Sequence, residues 1–231
     1  RSLEEIPARK GILRGTVEMT IIERHDLKFR IDLLEGQKTG FFLDQRENRT
    51  ALRPFAKDAT VLDCFCNEGG FGVYAAHYGS KSVSGVDSSE FAIEKSKVNA
   101  TLNNLRNISF HCADVFETLS SEIKQNRKYD IVVLDPPSFT KNKKTVATAA
   151  KGYKELNTNA LKIINSGGVL ATASCSHHIS EETFLNIIND SAVKAERKIR
   201  LLEFGGAAPD HPVLPSMPET KYLKFALIGV E

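Results

Sequence analysis

A chain of 231 residues is long enough for one full core and a small accessory module. Its 41% hydrophobic and 26% charged residues are the proportions of a globular protein, and no apolar run nears the roughly 20 residues a membrane-spanning helix needs. A formal net charge of +2 does not by itself demand nucleic acid, and four irregularly spaced cysteines argue against a secreted disulfide scaffold and for a cytoplasmic protein.

In chain order, residues 1–38 read as a separate small unit. Gly15 to Glu23 and Leu27 to Leu33 alternate apolar and polar residues around His25-Asp26, the pattern of a β-hairpin. Two strands alone are marginal in water, so this module is expected to pack on the main domain, on a preceding domain, or on another subunit in a homodimer. The chain opens at Arg1 rather than Met, as a fragment of a longer protein would. Residues 39–231 form the second expected domain. Asp44 is placed there to cap a helix, with Glu47 as its partner three residues on.

A regular alternation follows: strand 60–63, helix 70–78, strand 81–87, helix 89–103, strand 107–112, helix 115–126 and strand 129–135. Helix 146–165, strand 168–174, helix 180–192 and strands 197–204 and 221–229 complete it. Helices between short apolar runs imply right-handed crossovers and a mostly parallel, Rossmann-like α/β sheet covered on both faces. The last two strands are joined through Pro209-Asp210-His211-Pro212 without a crossover helix, so the sheet should end in an antiparallel pair.

In such a sheet ligands bind at the carboxyl ends of the strands. There the sequence sets Asp63, Asp87, Asp114, Asp135 and Cys175 after five successive strands. The first tip, Asp63-Cys64-Phe65-Cys66-Asn67-Glu68-Gly69-Gly70, breaks a buried strand into a small-residue turn that opens a helix. Glycines there allow close approach of a ligand and leave helix N–H groups to meet it. Asp87 ends the second strand, where an acid suits the ribose hydroxyls of a nucleotide-like cofactor. Asp114 can accept from an adenine amino group, cap the next helix, or do both.

Leu134-Asp135-Pro136-Pro137-Ser138-Phe139 is a stiff exit, since neither proline can donate to a sheet ladder. A rigid hydrogen-bonding edge beside Phe139 suits a flat substrate such as a nucleobase. Cys175, in Ser174-Cys175-Ser176-His177-His178, is either an inert buried thiol or a nucleophile with its pKa lowered near a helix N-terminus. A thiolate added to C6 of a pyrimidine makes C5 nucleophilic toward a methyl donor. Lys141, Lys143, Lys144, Lys151 and Lys154 follow the Asp-Pro-Pro turn as either a solvated loop or a nucleic-acid contact. Cys64 and Cys66 read as small buried hydrophobes, with no second pair at metal-ligand spacing and so no expected metal.

These motifs resemble class I S-adenosylmethionine-dependent methyltransferases, and among them the large-subunit ribosomal RNA cytosine-5 methyltransferase I type. The resemblance rests on Thr39 to Arg49, Asp63 to Phe71, Leu134 to Phe139 and Ser174-Cys175-Ser176. It implies a seven-stranded sheet with its last strand antiparallel and S-adenosyl-L-methionine over the first strand tips. Asp63, Asn67 and Gly69 would line the methionine part, Asp87 and Ser88 the ribose, and Asp114 and Val115 the adenine. Gln45 and Arg46 would close the site, Cys175 would be the nucleophile, and Asp135 would bond the target cytosine. Ribosomal RNA would be the partner; members of the family commonly begin with an RNA-binding PUA domain, for which this chain has no room, which would leave substrate affinity incomplete. Related enzymes carry a second Cys in the Asp-Pro region; Ser138 and Phe139 stand there in this chain, so another base must take the C5 proton.

Three other readings fit parts of the pattern. A guanine N-methyltransferase shares the Gln-Arg and Asp-Pro-Pro runs but needs no thiolate. A nicotinamide-dependent oxidoreductase also uses an acid after its second strand, yet Phe65 and Asn67 stand where its fingerprint wants glycines. A non-catalytic RNA-binding assembly factor would keep the fold without turnover.

Overall fold

The computed structural model describes residues 11, 14–17, 19–34, 41–140 and 143–231. They belong to two compact units, Arg1–Phe42 and Leu43–Glu231. Thr39, Gly40, Lys141 and the side chain of Lys143 lie outside the described residues.

In the first unit β1 (Met19–Arg24) pairs antiparallel with β2 (Leu27–Asp32), Arg24 opposite Leu27. His25 and Asp26 link them with φ of 52° and 62°, the paired left-handed residues of a two-residue turn that matches strand twist. Alternation leaves Leu27, Phe29 and Ile31 buried and Met19 and Ile21 exposed. The Phe29 ring packs 4.7 Å from that of Phe41.

The second unit opens with a 3-10 turn, Leu43–Gln45, then α1 (Arg46–Thr50) and α2 (Arg53–Ala56). Strand and helix then alternate through β3 (Thr60–Cys64), α3 (Gly70–His77), β4 (Ser82–Asp87), α4 (Glu90–Leu102), β5 (Ile108–Cys112), α5 (Val115–Lys124) and β6 (Tyr129–Leu134). Next come α6 (Val146–Ile163), β7 (Ile164–Ser174), α7 (Glu181–Lys194), β8 (Ile199–Gly205) and β9 (Lys224–Val230). The seven-stranded sheet runs β5-β4-β3-β6-β7-β9-β8. Its first five strands are parallel, and β9 runs antiparallel between β7 and β8.

The apolar runs of the central strands feed two cores. Ile131 and Val133 of β6 join Val61, Val83, Ala171, Phe71 and Ala75 on one face. Val132 and Leu134, pointing the other way, join Leu62, Leu170, Tyr153, Leu156 and Phe184. Burial on both faces is why these strands read as continuous rather than alternating. The chain leaves β3 outward to β4 and β5, then returns to β6 on the other side of β3. That reversal opens a crevice at the carboxyl ends of β3 and β6.

Two sequence expectations fail locally. Asp44 does not cap α1; it lies in the 3-10 turn, Gln45 holds the cap position without a side-chain bond, and the Asp44 carboxylate accepts from the Tyr222 hydroxyl. The competing partner, 178 residues away, outweighs the local one. The expected helix 146–165 ends at Ile163, and β7 starts at once, Ile164 pairing with Tyr129 of β6. Among the described residues no helix is long and apolar enough to cross a membrane.

Candidate active site

The turn after β3 is built from left-handed residues. Phe65, Asn67 and Gly69 have φ of 60°, 46° and 80°. A side chain at Gly69 would be strained by that angle and would also press its Cβ to 3.0 Å from the Phe110 ring. The turn is pinned from outside. The Asn67 N–H donates to Asp87 Oδ2 at 3.0 Å, Lys95 bridges Glu68 at 3.0 Å, and Asn99 Nδ2 donates to the Glu68 carbonyl at 2.9 Å. Phe65 and Asn67, with side chains at positive φ, hold a conformation that costs about 1–3 kcal/mol each unless the surroundings impose it.

Asp63 lies fully buried under the turn. Its Oδ2 accepts from the Gly72 N–H at 2.7 Å, meeting one of the donors that the first turn of α3 leaves open. Oδ1 is buried without a partner among the described residues. Burial pushes the carboxyl up to about 7; the Gly72 N–H opposes this, Asp135 adds to it, and the Arg49 charge opposes it. Arg49, itself buried, lies against the helix start, and a Cβ on Gly70 would meet its Nε at 2.7 Å. Burial lowers its pKa while Asp135, Asp44 and Asp63 raise it. A guanidinium stays charged in such a place. At the β3 tip the Arg49 cation thus lies among several carboxylates, a field that suits a cationic ligand and repels a pyrophosphate.

At the next tips, Asp87 Oδ1 accepts from the Ser89 N–H at 2.9 Å, while Ser88 is exposed and its carbonyl accepts from the Cys112 thiol at 3.5 Å. Asp114 is exposed and caps α5, its Oδ1 accepting from the Glu117 N–H at 3.0 Å. Val115 is buried in the core beneath that helix. The two cysteines of the first turn are buried thiols whose pKa burial drives upward, so they remain protonated hydrophobes.

The β6 and β7 tips draw on distant segments. Asp135 Oδ1 accepts from Gln45 Nε2 at 2.8 Å, Gln45 Oε1 accepts from Asn48 Nδ2 at 2.6 Å, and the same Asn48 amide donates to the Gly206 carbonyl at 3.1 Å. Gln45 is only 2% exposed. Arg46 turns outward to an ion pair with Asp210, whose pKa that contact and His211 lower to about 2. Cys175 is half-buried, its thiol 3.9 Å from the Pro136 carbonyl. Phe139 is half-buried, its ring packed 4.7 Å from Tyr153 and 6.4 Å from Phe116. The His177 and His178 rings lie 3.8 Å apart, tilted by 43°. In the basic cluster, Lys154 is bridged to Asp190 at 2.8 Å, and Lys144 and Lys151 are exposed.

The residues the sequence did not single out are Arg49, Asn48, Tyr222 and Lys224. Asn48 and Arg49 end the Thr39 to Arg49 run that carries the resemblance, and Lys224 left a signal of its own. It is a lone charge heading the apolar run Phe225-Ala226-Leu227-Ile228, and in an antiparallel strand the first residue lies at the same end as the tips of its parallel neighbours.

A doubly wound sheet with acids gathered at its reversal point, and no dinucleotide glycine fingerprint, defines a binder of a cationic nucleoside cofactor. The chain belongs to the S-adenosylmethionine-dependent methyltransferase family, whose family model matches residues 12–225. It is 43% identical over 233 residues to the Ribosomal RNA large subunit methyltransferase I of Tolumonas auensis, covering 99% of this chain and 59% of that protein. It is 38% identical to the protein of that name from Shewanella denitrificans, covering 97% of this chain and 57% of the other. The chain thus spans under two thirds of the length of these relatives. Among solved structures it is similar to SMU.776, described as a methyltransferase and crystallised with SAH, at 27% identity and a TM-score of 0.83, covering 93% of this chain and 57% of that one.

Proposed function

We propose that this chain carries the catalytic domain of an RNA methyltransferase that forms 5-methylcytosine in large-subunit ribosomal RNA. The observation that carries this reading is the pair Cys175 and Asp135 at the tips of adjacent strands, with the thiol on the Pro136 carbonyl. The likeness to ribosomal RNA methyltransferases and the exposed Lys144 and Lys151 support RNA as the substrate.

The residues present fit S-adenosyl-L-methionine: a buried Asp63 oxygen without a partner among the described residues, a turn free of side chains at Gly69 and Gly70, and Asp87 at the next tip. Asp63, Asn67 and Gly69 would hold its methionine part, Asp87 and Ser88 its ribose, and Asp114 and Val115 its adenine. Bound there, the cofactor supplies an electrophilic methyl group on a sulfonium.

The chain's own residues do the rest. Gln45 fixes the Asp135 carboxylate toward the polar edge of the cytosine, and Arg46, tied to Asp210, holds the closing segment beside it. The Cys175 thiolate adds to C6, and the electron pair displaced from the C5–C6 double bond makes C5 the nucleophile. After C5 takes the methyl group, loss of its proton to a base drives out the sulfur, restoring the double bond and the thiolate.

The test is transfer of labelled methyl groups to large-subunit ribosomal RNA lacking the modification, with mass mapping of the product. A methyl group on cytosine C5 is expected. A methyl group on a guanine nitrogen would replace this reading with the N-methyltransferase one, and no transfer by the full-length protein would favour an assembly factor.

A further inference from the structure

Nothing in the helix after Cys175 supplies the charge an anionic sulfur needs. The first turn of α7 is closed by Ser180, whose Oγ accepts from the Thr183 N–H at 3.1 Å, and it carries Glu181 and Glu182. Five residues separate Cys175 from that helix, and its first turn is acidic.

A cation does lie on the opposite strand, bonded to the residue that follows Cys175. Ser174 of β7 pairs with Lys224 of β9, and the Lys224 side chain is 2% exposed. Its Nζ donates to the Ser176 carbonyl and, at 2.8 Å, to the Tyr222 carbonyl. An ammonium has three donors, so two carbonyls leave one in hand. Among the described residues no carboxylate bridges it. Glu181, the acid whose field it feels, is paired with Lys221 at 2.9 Å. Burying an ammonium without a counter-ion is costly, and such groups persist where a partner or a function retains them.

We propose that Lys224 is a positioning residue that holds Cys175 as its anion by supplying the counter-charge from the opposite strand. This rests on the reading of Cys175 as the nucleophile. The acids near the pair are Asp135, at the adjacent strand tip, and Glu181, already paired with Lys221. Tyr222 and Tyr153 sense the Cys175 charge; the Tyr222 hydroxyl is engaged with Asp44, and burial raises both phenol pKa values. Burial lowers the Lys224 pKa to about 8, with Cys175 the largest opposing influence. At neutral pH the side chain therefore remains the cation the sulfur requires.

The experiment is the pH dependence of iodoacetamide alkylation, followed by mass spectrometry on the peptide bearing Cys175 in the intact chain. The wild-type midpoint is expected well below the free-thiol value of about 8.5. Lys224→Met should raise it by about one unit, a roughly tenfold slower alkylation near neutrality, while Lys224→Arg, which keeps the charge, should stay near wild type. S-adenosylhomocysteine binding reports that each variant is folded. A wild-type midpoint at or above 8.5 overturns the proposal without any variant, and so does a folded Lys224→Met with an unshifted midpoint. Methyl transfer by Cys175→Ala would instead defeat the covalent reading, so the two failures are distinguishable.

Discussion

The two halves of the crevice are assembled on different length scales. Around β3 and β4, acids are held by backbone N–H groups nearby in the chain: Asp63 by Gly72 and Asp87 by Asn67 and Ser89. Around β6, β7 and β9, side chains meet across 90 residues from Gln45 to Asp135, and Lys224 reaches back 48 residues to Ser176. A site fixed by its own turn can be present before the fold is complete. A site fixed by remote side chains exists only in the finished structure. The two halves should therefore respond independently to substitution.

The largest separation should come from Cys175→Ala. On the proposed covalent route it removes the group that activates C5, so methyl transfer should fall by at least about a thousandfold while S-adenosylhomocysteine affinity, measured by calorimetry, stays within about twofold. Gly69→Ala is the converse break. With φ at 80° and Phe110 in the way, it should cost about 1–3 kcal/mol in denaturant unfolding and weaken cofactor binding, leaving the Cys175 alkylation profile in place. Gln45→Ala removes the amide that orients Asp135 and should cost about 1–2 kcal/mol, read as a drop in kcat/KM for RNA of roughly five- to thirtyfold with unchanged cofactor affinity.

Asp63 sharpens the comparison through pH. Its carboxyl sits at about 7 in the fold against 3.8 for an ordinary Asp. Between those values the folded chain holds a proton that the unfolded chain has released, so this group makes stability fall as pH rises from about 4 to about 7. Denaturant titrations at pH 5 and 8 should show that slope, and Asp63→Asn should flatten it. The smallest effect belongs to Arg46 and Asp210, a partly exposed pair at the crevice mouth. Asp210→Asn should change stability by less than about 1 kcal/mol, checked by thermal unfolding at low and high salt.

The same division governs what could be read before the structure. The strand-helix alternation, the turn from Cys64 to Gly70 and the acids at strand tips are written in neighbouring residues, and the observed elements follow them closely. Asp44 shows the limit. Its spacing to Glu47 is that of a capping pair, yet Tyr222 takes its carboxylate, and no local pattern announces a partner so remote. Arg49 and Asn48 look like the polar face of a short helix and are instead buried. Phe139 reads as an aromatic beside a substrate edge, and its packing on Tyr153 is a contact the local sequence does not announce. The place of β9 between β7 and β8 is equally silent in the chain, since either order of two antiparallel strands satisfies the same apolar runs.

That interleaving has a consequence during synthesis. As the ribosome extends the chain, β7 and β8 emerge with no ladder between them, and each keeps an open edge until β9 slides in. The nascent protein can shape its first tips early, but the sulfur and the ammonium meet only when this last strand arrives. Competence for catalysis is then gained in one late step, and a nascent chain halted before β9 should be a target for chaperones rather than a slow enzyme.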